Sequence, residues 1–292
     1  MSLRPRRSCL YMPGSNARAL EKARALPADA LILDLEDAVA PDAKAMARNQ
    51  VVEAVKAGGF GKRERVIRIN GLQTPWGAED MLAAAQAAPD AILVPKVSTP
   101  GDIMMAAKAM RDAGAPETTR LWAMMETPLA MLNADSIART AADPASRLSV
   151  FVMGTNDLAK ETRARLTPGR PSMLAWLSIC VAAARAHNIE IIDGVYNDFG
   201  NEAGLRAECE QGRDFGMDGK TLIHPNQIGP CNEIFAPSTT EVDWARKIIG
   251  VFGEPANAGK GALQIDGKMV ELLHADMARR TVAIAEAIAA HA

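Results

Sequence analysis

Ala30-Leu31-Ile32-Leu33-Asp34-Leu35-Glu36, followed by the Ala- and Val-rich stretch Lys44 to Ala57, is the pair of segments that decides the fold. A nearly unbroken apolar run reads as a strand covered on both faces, and the second segment has the spacing of a helix with one buried face. Together they make a βα unit. Seven more short apolar runs repeat the pattern: Arg7 to Pro13, Arg65 to Asn70, Ala91 to Val97, Leu121 to Thr127, Leu148 to Gly154, Ile189 to Val195 and Gly219 to Pro225. Successive runs begin roughly 30 residues apart, the size of one unit of an eight-stranded barrel. Helical patterns lie between them at Ala17 to Ala25, Glu79 to Ala87, Asp102 to Ala113, Ser172 to His187 and Asn201 to Phe215. The expected fold is therefore α/β, a TIM (β/α)8 barrel over residues 1–228 with a C-terminal helical extension over 229–292. A doubly wound open sheet is the competitor, but no Gly-x-Gly-x-x-Gly opens the first unit.

The 292 residues leave little beyond one barrel and this tail. Lys plus Arg (33) nearly cancels Asp plus Glu (35), and only 4% of residues are aromatic. That composition lacks both the basic footprint and the stacking platforms of a nucleic-acid binder. No apolar run approaches the ~20 residues of a membrane helix, and the segment after Arg7 is too short for a signal peptide. The expectation is a cytoplasmic protein. Cys9, Cys180, Cys209 and Cys231 are far apart, with no zinc-ligand spacing. Gly253 to Gly261 resembles a phosphate loop only superficially: the spacing between the glycines is wrong, and Gly261 stands where Ser or Thr is required.

Chemistry in such a barrel sits at the C-terminal ends of the strands, so polar residues there carry the functional reading. Strand alternation puts Asp34 and Glu36 on one face of the second run, and Arg68 with Asn70 on the inward face of the third. The same parity gives Lys96, Glu126, Asp193 and His224 on later runs, and Asp157 follows the sixth after Gly154-Thr155-Asn156. Plainer roles stay open. Asp34, Asp37 or Asp157 could cap the next helix, Lys96 could snorkel at the rim, and His224 could be a satisfied core histidine. Glu126 ends the run Leu121-Trp122-Ala123-Met124-Met125, where an ionised carboxylate needs a partner or a metal. Adjacent strands lie ~4.8 Å apart, so Glu126 and Asp157 can converge on one ion, and two carboxylates suit magnesium. Arg68 offers a planar fork for a substrate carboxylate or a developing oxyanion. Such a site suits an α-hydroxy or α-keto acid.

Nine motifs occur in order: Arg7-Ser8-Cys9-Leu10-Tyr11-Met12-Pro13-Gly14, Leu33-Asp34-Leu35-Glu36-Asp37-Ala38-Val39, Val66-Ile67-Arg68-Ile69-Asn70, Pro95-Lys96-Val97, Met125-Glu126-Thr127-Pro128, Gly154-Thr155-Asn156-Asp157-Leu158, Ile192-Asp193-Gly194-Val195-Tyr196, Ile223-His224-Pro225-Asn226-Gln227-Ile228 and Asp266-Gly267-Lys268-Met269-Val270. In this register the chain resembles the citrate lyase beta-chain-like proteins of the aldolase/citrate lyase superfamily, with their malyl-CoA and citramalyl-CoA lyase relatives. The resemblance implies a trimeric or hexameric TIM barrel that breaks a carbon–carbon bond beside a coenzyme A thioester. A hydroxyacyl-CoA of citramalyl or malyl type would give an α-keto acid or glyoxylate and an acyl-CoA. A malyl-CoA thioesterase, or a citrate lyase beta subunit working on a carrier-protein thioester, is the alternative; a non-catalytic subunit is the remaining one. Magnesium would sit on Glu126 and Asp157. Arg68 and Glu126 would be catalytic and border the substrate, with Asp34, Glu36, Asp37, Lys96 and Asp193 as further candidates. Glu271 and Asn201 stand where the lyases carry Asp. Glu271, read as the start of a final helix near Met269 to Ala290, would serve as acid/base in the active site of the next subunit.

Overall fold

The computed structural model describes residues 3–291. Eight parallel strands close into a barrel in chain order: β1 (Ser8–Pro13), β2 (Ala30–Asp34), β3 (Glu64–Arg68), β4 (Ala91–Val94), β5 (Arg120–Met125), β6 (Leu148–Met153), β7 (Glu190–Asp193) and β8 (Gly219–Leu222). Each stops at or a few residues before the end of the apolar run that announces it. The helices are α1 (Ala17–Ala23), α2 (Lys44–Ala57), α3 (Gly77–Ala87), α4 (Pro100–Asp112), α5 (Pro128–Leu132), α6 (Ala134–Arg139), α7 (Thr155–Thr162), α8 (Leu174–Ala186), α9 (Glu202–Asp214), α10 (Ile228–Phe235), α11 (Thr239–Gly253) and α12 (Leu272–His291). No helix among the described residues is long and apolar enough to cross a membrane.

Alternation sorts each strand into two cores. Cys9, Ala30, Ile32, Val66, Leu93, Trp122, Met124, Val150, Val152 and Ile192 fill the barrel interior, with Tyr11 packed on them. Their neighbours Leu10, Leu31, Leu33, Ile67 and Ile92, all fully buried, have the opposite parity. The N-terminal end of the barrel is tied by ion pairs: Arg6 to Glu64 and Glu190, Arg7 to Asp29, Arg65 to Asp90. The Arg6 guanidinium also lies 5.3 Å from the centre of the Trp122 ring.

Three residues expected inward have the other parity. Lys96 follows interior Ala91 and Leu93 with the opposite parity, and only its left-handed backbone brings the side chain to the site. Interior packing on β7 falls to Ile192, so Asp193 has the outward parity. There it accepts from Arg170 at 2.8 Å and from Lys220, its register partner on β8, at 2.9 Å. On β8 the inward positions are Thr221 and Ile223. His224 is a partly exposed residue stacked on Phe199, with ring centroids 4.9 Å apart.

Compact units divide at Glu233/Ile234, slightly beyond the expected boundary at residue 228. The second unit, residues 234–291 with 3–5, is not purely helical. α11 and α12 pack on an antiparallel hairpin, β9 (Ala262–Ile265) and β10 (Lys268–Glu271), around Ala245, Ile248, Ile265, Val270, Ala275 and Ala278. Asp266 and Gly267 have φ of 50° and 76°, the left-handed conformations that a tight two-residue hairpin turn demands. Glu271 is accordingly the last residue of a strand, and the helix starts at Leu272.

Candidate active site

A cavity of about 300 Å³ opens at the C-terminal ends of the barrel strands. Tyr11, Asp34, Asp37, Arg68, Glu126 and Asp157 all line it. They arrive from five separate strands or the loops that follow them, and only barrel closure brings them together.

Arg68, the last residue of β3, is almost fully buried, and its guanidinium is fixed on nearly every side. Nε and Nη2 donate to the two oxygens of Asp34 at 2.7 and 2.6 Å, a two-pronged pair across the β2–β3 register. Asp34 is itself held by the backbone N–H groups of Glu36 and Ala38. Nη1 lies 2.8 Å from Glu36 and 3.2 Å from Asp37, and the Tyr11 ring sits 4.8 Å below the guanidinium. Burial opposes the charge, but Asp34, through its charge and its hydrogen bonds, more than restores it, so Arg68 is a cation. Three carboxyls around one guanidinium leave two negative charges too many. Glu36 absorbs one of them: burial drives its carboxyl up to about 8 despite the nearby arginine, which Asp34 already engages. At neutral pH Glu36 is mostly protonated.

Glu126 follows β5 and is fully buried. One oxygen accepts the Lys96 backbone N–H at 2.7 Å, and the other, Oε2, is buried without a hydrogen-bond partner. Asp157 stands in the first turn of α7, after β6. Gly154 makes this approach possible, because a Cβ there would lie 2.4 Å from the Glu126 Cβ and 2.5 Å from Oε2. The Lys96 Nζ is 2.6 Å from Asp157 and 3.6 Å from Glu126, so a cation already bridges the two carboxylates. Burial, partly offset by Lys96, raises the Glu126 carboxyl above its usual range. An orphaned buried oxygen, a second carboxylate and a position that favours positive charge fit a hard divalent ion. No group of three or more His, Cys, Asp or Glu able to hold a metal is found among the described residues. Two protein ligands suit an ion such as magnesium, whose other positions go to water and substrate oxygens.

The cavity thus gathers Arg68, Asp34, Asp37, Glu126 and Asp157 as the sequence pattern predicts, with Glu36 and Lys96 against them. Asp193 belongs to a different cluster with Arg170, Lys220 and Glu208. Residues that pattern reading passes over include Tyr11, whose inward parity on β1 was a usable signal. Asn156 and Asn197, which link the loops after β6 and β7 through paired side-chain amides at 3.0 and 2.8 Å, carry no signal in one sequence.

Residues 7–225 match the family model described as HpcH/HpaI aldolase/citrate lyase. A (3S)-malyl-CoA thioesterase of Cereibacter sphaeroides (strain KD131 / KCTC 12085) is 53% identical over 98% of this chain and 96% of its own. The citrate lyase subunit beta of Escherichia coli (strain K12) is 34% identical over 97% and 94%. Among solved structures, the protein CitE from Mycobacterium tuberculosis in complex with magnesium, acetoacetate and coenzyme A superposes with a TM-score of 0.76 at 27% identity, covering 97% of this chain and 99% of that one. With the barrel, its site and these relatives in agreement, the chain belongs to the HpcH/HpaI aldolase/citrate lyase family.

Proposed function

We propose that this protein hydrolyses the thioester of a hydroxyacyl-coenzyme A of the (3S)-malyl type, with magnesium as cofactor. The observation that carries the reading is the 53% identity with a (3S)-malyl-CoA thioesterase across nearly the whole of both chains. It favours hydrolysis over the carbon–carbon cleavage that the motifs alone suggest. The solved relative that holds magnesium, acetoacetate and coenzyme A together supports the same ligand classes here.

Hydrolysis adds a water oxygen to the thioester carbonyl carbon and breaks the carbon–sulfur bond. The acid and the free thiol are released, with one water proton ending on sulfur. Negative charge develops on the carbonyl oxygen. Arg68, immobilised by Asp34 before substrate arrives, is the preorganised donor for that charge. Glu126 and Asp157 would hold the magnesium ion, which supplies Lewis-acid polarisation and chelates the hydroxy-acid end of the substrate. Neutral Glu36 keeps the neighbourhood of Arg68 from becoming too negative to accept an anionic substrate. Glu271, exposed at the end of β10, is the group we assign to proton transfer in the site of a second copy in a trimer or hexamer. The exposed Met269, Leu272, Leu273 and Met277 around it support such an interface. Mixing inactive Glu126→Ala and Glu271→Ala chains checks this, because activity returns on subunit exchange only if sites are shared.

Carbon–carbon cleavage is the second reading, favoured by the citrate lyase subunit beta. It too builds negative charge on the thioester oxygen, as an enolate, so Arg68, Glu126 and Asp157 would serve both reactions equally. The products separate them. With (3S)-malyl-CoA and magnesium, hydrolysis yields free thiol and malate without glyoxylate. Glyoxylate with acetyl-CoA would replace this reading by the lyase, and neither product would remove both.

A further inference from the structure

Lys96 sits just past β4 with φ of 56°, a left-handed conformation unusual for a residue that carries a side chain. That conformation brings both of its donors to one place. The backbone N–H donates to Glu126 at 2.7 Å, and Nζ reaches Asp157 at 2.6 Å with Glu126 at 3.6 Å. The other lysine in a carboxylate cluster of the barrel, Lys220, is fully buried between Asp193 and Glu208 and has nowhere else to go. Lys96 differs. Its side chain is 28% exposed, so the ammonium can leave while the backbone remains attached to Glu126.

We propose that Lys96 is a tethered cation, which occupies the ion position between Glu126 and Asp157 in the metal-free protein and is displaced when a divalent ion binds. This inference rests on the reading of these two carboxylates as metal ligands. Without a cation between them the carboxylates repel, and Glu126, fully buried, gains little solvation in exchange; the lysine keeps the empty site folded. A divalent ion outcompetes it by charge, because it interacts with each carboxylate about twice as strongly at equal distance. The displaced ammonium loses its partners, so Lys96 weakens metal affinity as it stabilises the metal-free form.

Calorimetric titration of magnesium chloride into wild type, Lys96→Met and Lys96→Gln tests the inference, with thermal melts of each protein with and without the ion. Both neutral variants should bind magnesium about tenfold more tightly, the equivalent of losing one partly buried ion pair as competitor. Their metal-free Tm should fall below wild type, and the gain in Tm on adding magnesium should be larger. If one variant does not fold, the other decides. Unchanged or weaker magnesium binding in the neutral variants overturns the tethered cation and leaves the metal site standing. Absence of magnesium binding in wild type and variants alike overturns the metal site itself, and the inference with it.

Discussion

The two ends of the barrel use the same residue types to opposite effect. At the N-terminal end, four arginines answer five carboxylates: Arg6 meets Glu64 and Glu190, Arg7 meets Asp29, Arg65 meets Asp90, and Arg185 meets Asp218. At the C-terminal end, Asp34, Glu36, Asp37, Glu126 and Asp157 share Arg68 and Lys96 as ion-pair partners, with Lys44 nearby on the backbone carbonyls of Leu35 and Glu36. At the first end every one of these carboxylates has an arginine within ion-pair distance. The other is short of positive charge, and the shortfall appears as a protonated Glu36 and an unpartnered Glu126 oxygen. A surplus of one sign in a concave site is a standing demand for a ligand of the other sign.

Experiments that separate the ends can break this contrast. The largest effect belongs to the ion: chelation should lower thioester turnover by about 10³-fold or more, and magnesium should restore it. Turnover indifferent to chelator would mean that the surplus has another purpose. Next, Arg68→Lys keeps the charge but loses the fork, and kcat should fall by about 10²-fold with little change in Tm. A lysine variant with wild-type kcat would make the C-terminal end as structural as the other. At that other end Arg6→Met should do the reverse. Leaving buried Glu64 and half-buried Glu190 without their arginine should cost about 3 kcal/mol in denaturant unfolding, while kcat of the folded fraction stays at wild type.

The smallest effect sharpens the charge count. Glu36 is ionised in the unfolded chain above its usual pKa, whereas the folded protein keeps it protonated up to about pH 8. Folding therefore takes up a proton. Its stabilising contribution is complete below about pH 4.5 and is lost as pH rises through 8. Glu36→Gln cannot ionise, so its Tm advantage over wild type should grow from pH 5 to pH 9 and reach about 2–4 °C, the shift for 1 kcal/mol in a domain of this size. A Tm difference independent of pH would show that Glu36 is ionised throughout.

The contrast between the ends also marks what the sequence could reveal. All eight strands were legible, because a strand covered on both faces has to be a short apolar run and the chain repeats it eight times. The convergence of Glu126 and Asp157, which we propose as the metal pair, was legible as well: Glu126 ends an apolar run and Asp157 follows a glycine turn. Parity failed at β4, β7 and β8, whose four residues are too few to fix a face when both faces are buried. Asp193 was therefore placed inward although its partners Arg170 and Lys220 lie outside the barrel interior. A lysine inside the strand Gly219-Lys220-Thr221-Leu222 was the missed sign of a buried counter-ion. In the tail, Asp266-Gly267 between two short β-prone stretches signalled a hairpin, but the helical pattern after it drew the boundary too early and placed Glu271 on the helix. The bridging position of Lys96 depends on a left-handed backbone at one residue, for which a lysine gives no warning.

The most direct test of the demand for positive charge is magnesium titration of Glu126→Gln beside wild type, with circular dichroism to confirm the fold. Wild type should bind a single ion per chain. The variant, which keeps the shape of Glu126 but not its charge, should bind about 10²-fold more weakly or not at all. Equal affinity in the two proteins would contradict the account, because the C-terminal end of the barrel would then hold its cation without the carboxylate that the structure leaves unpartnered.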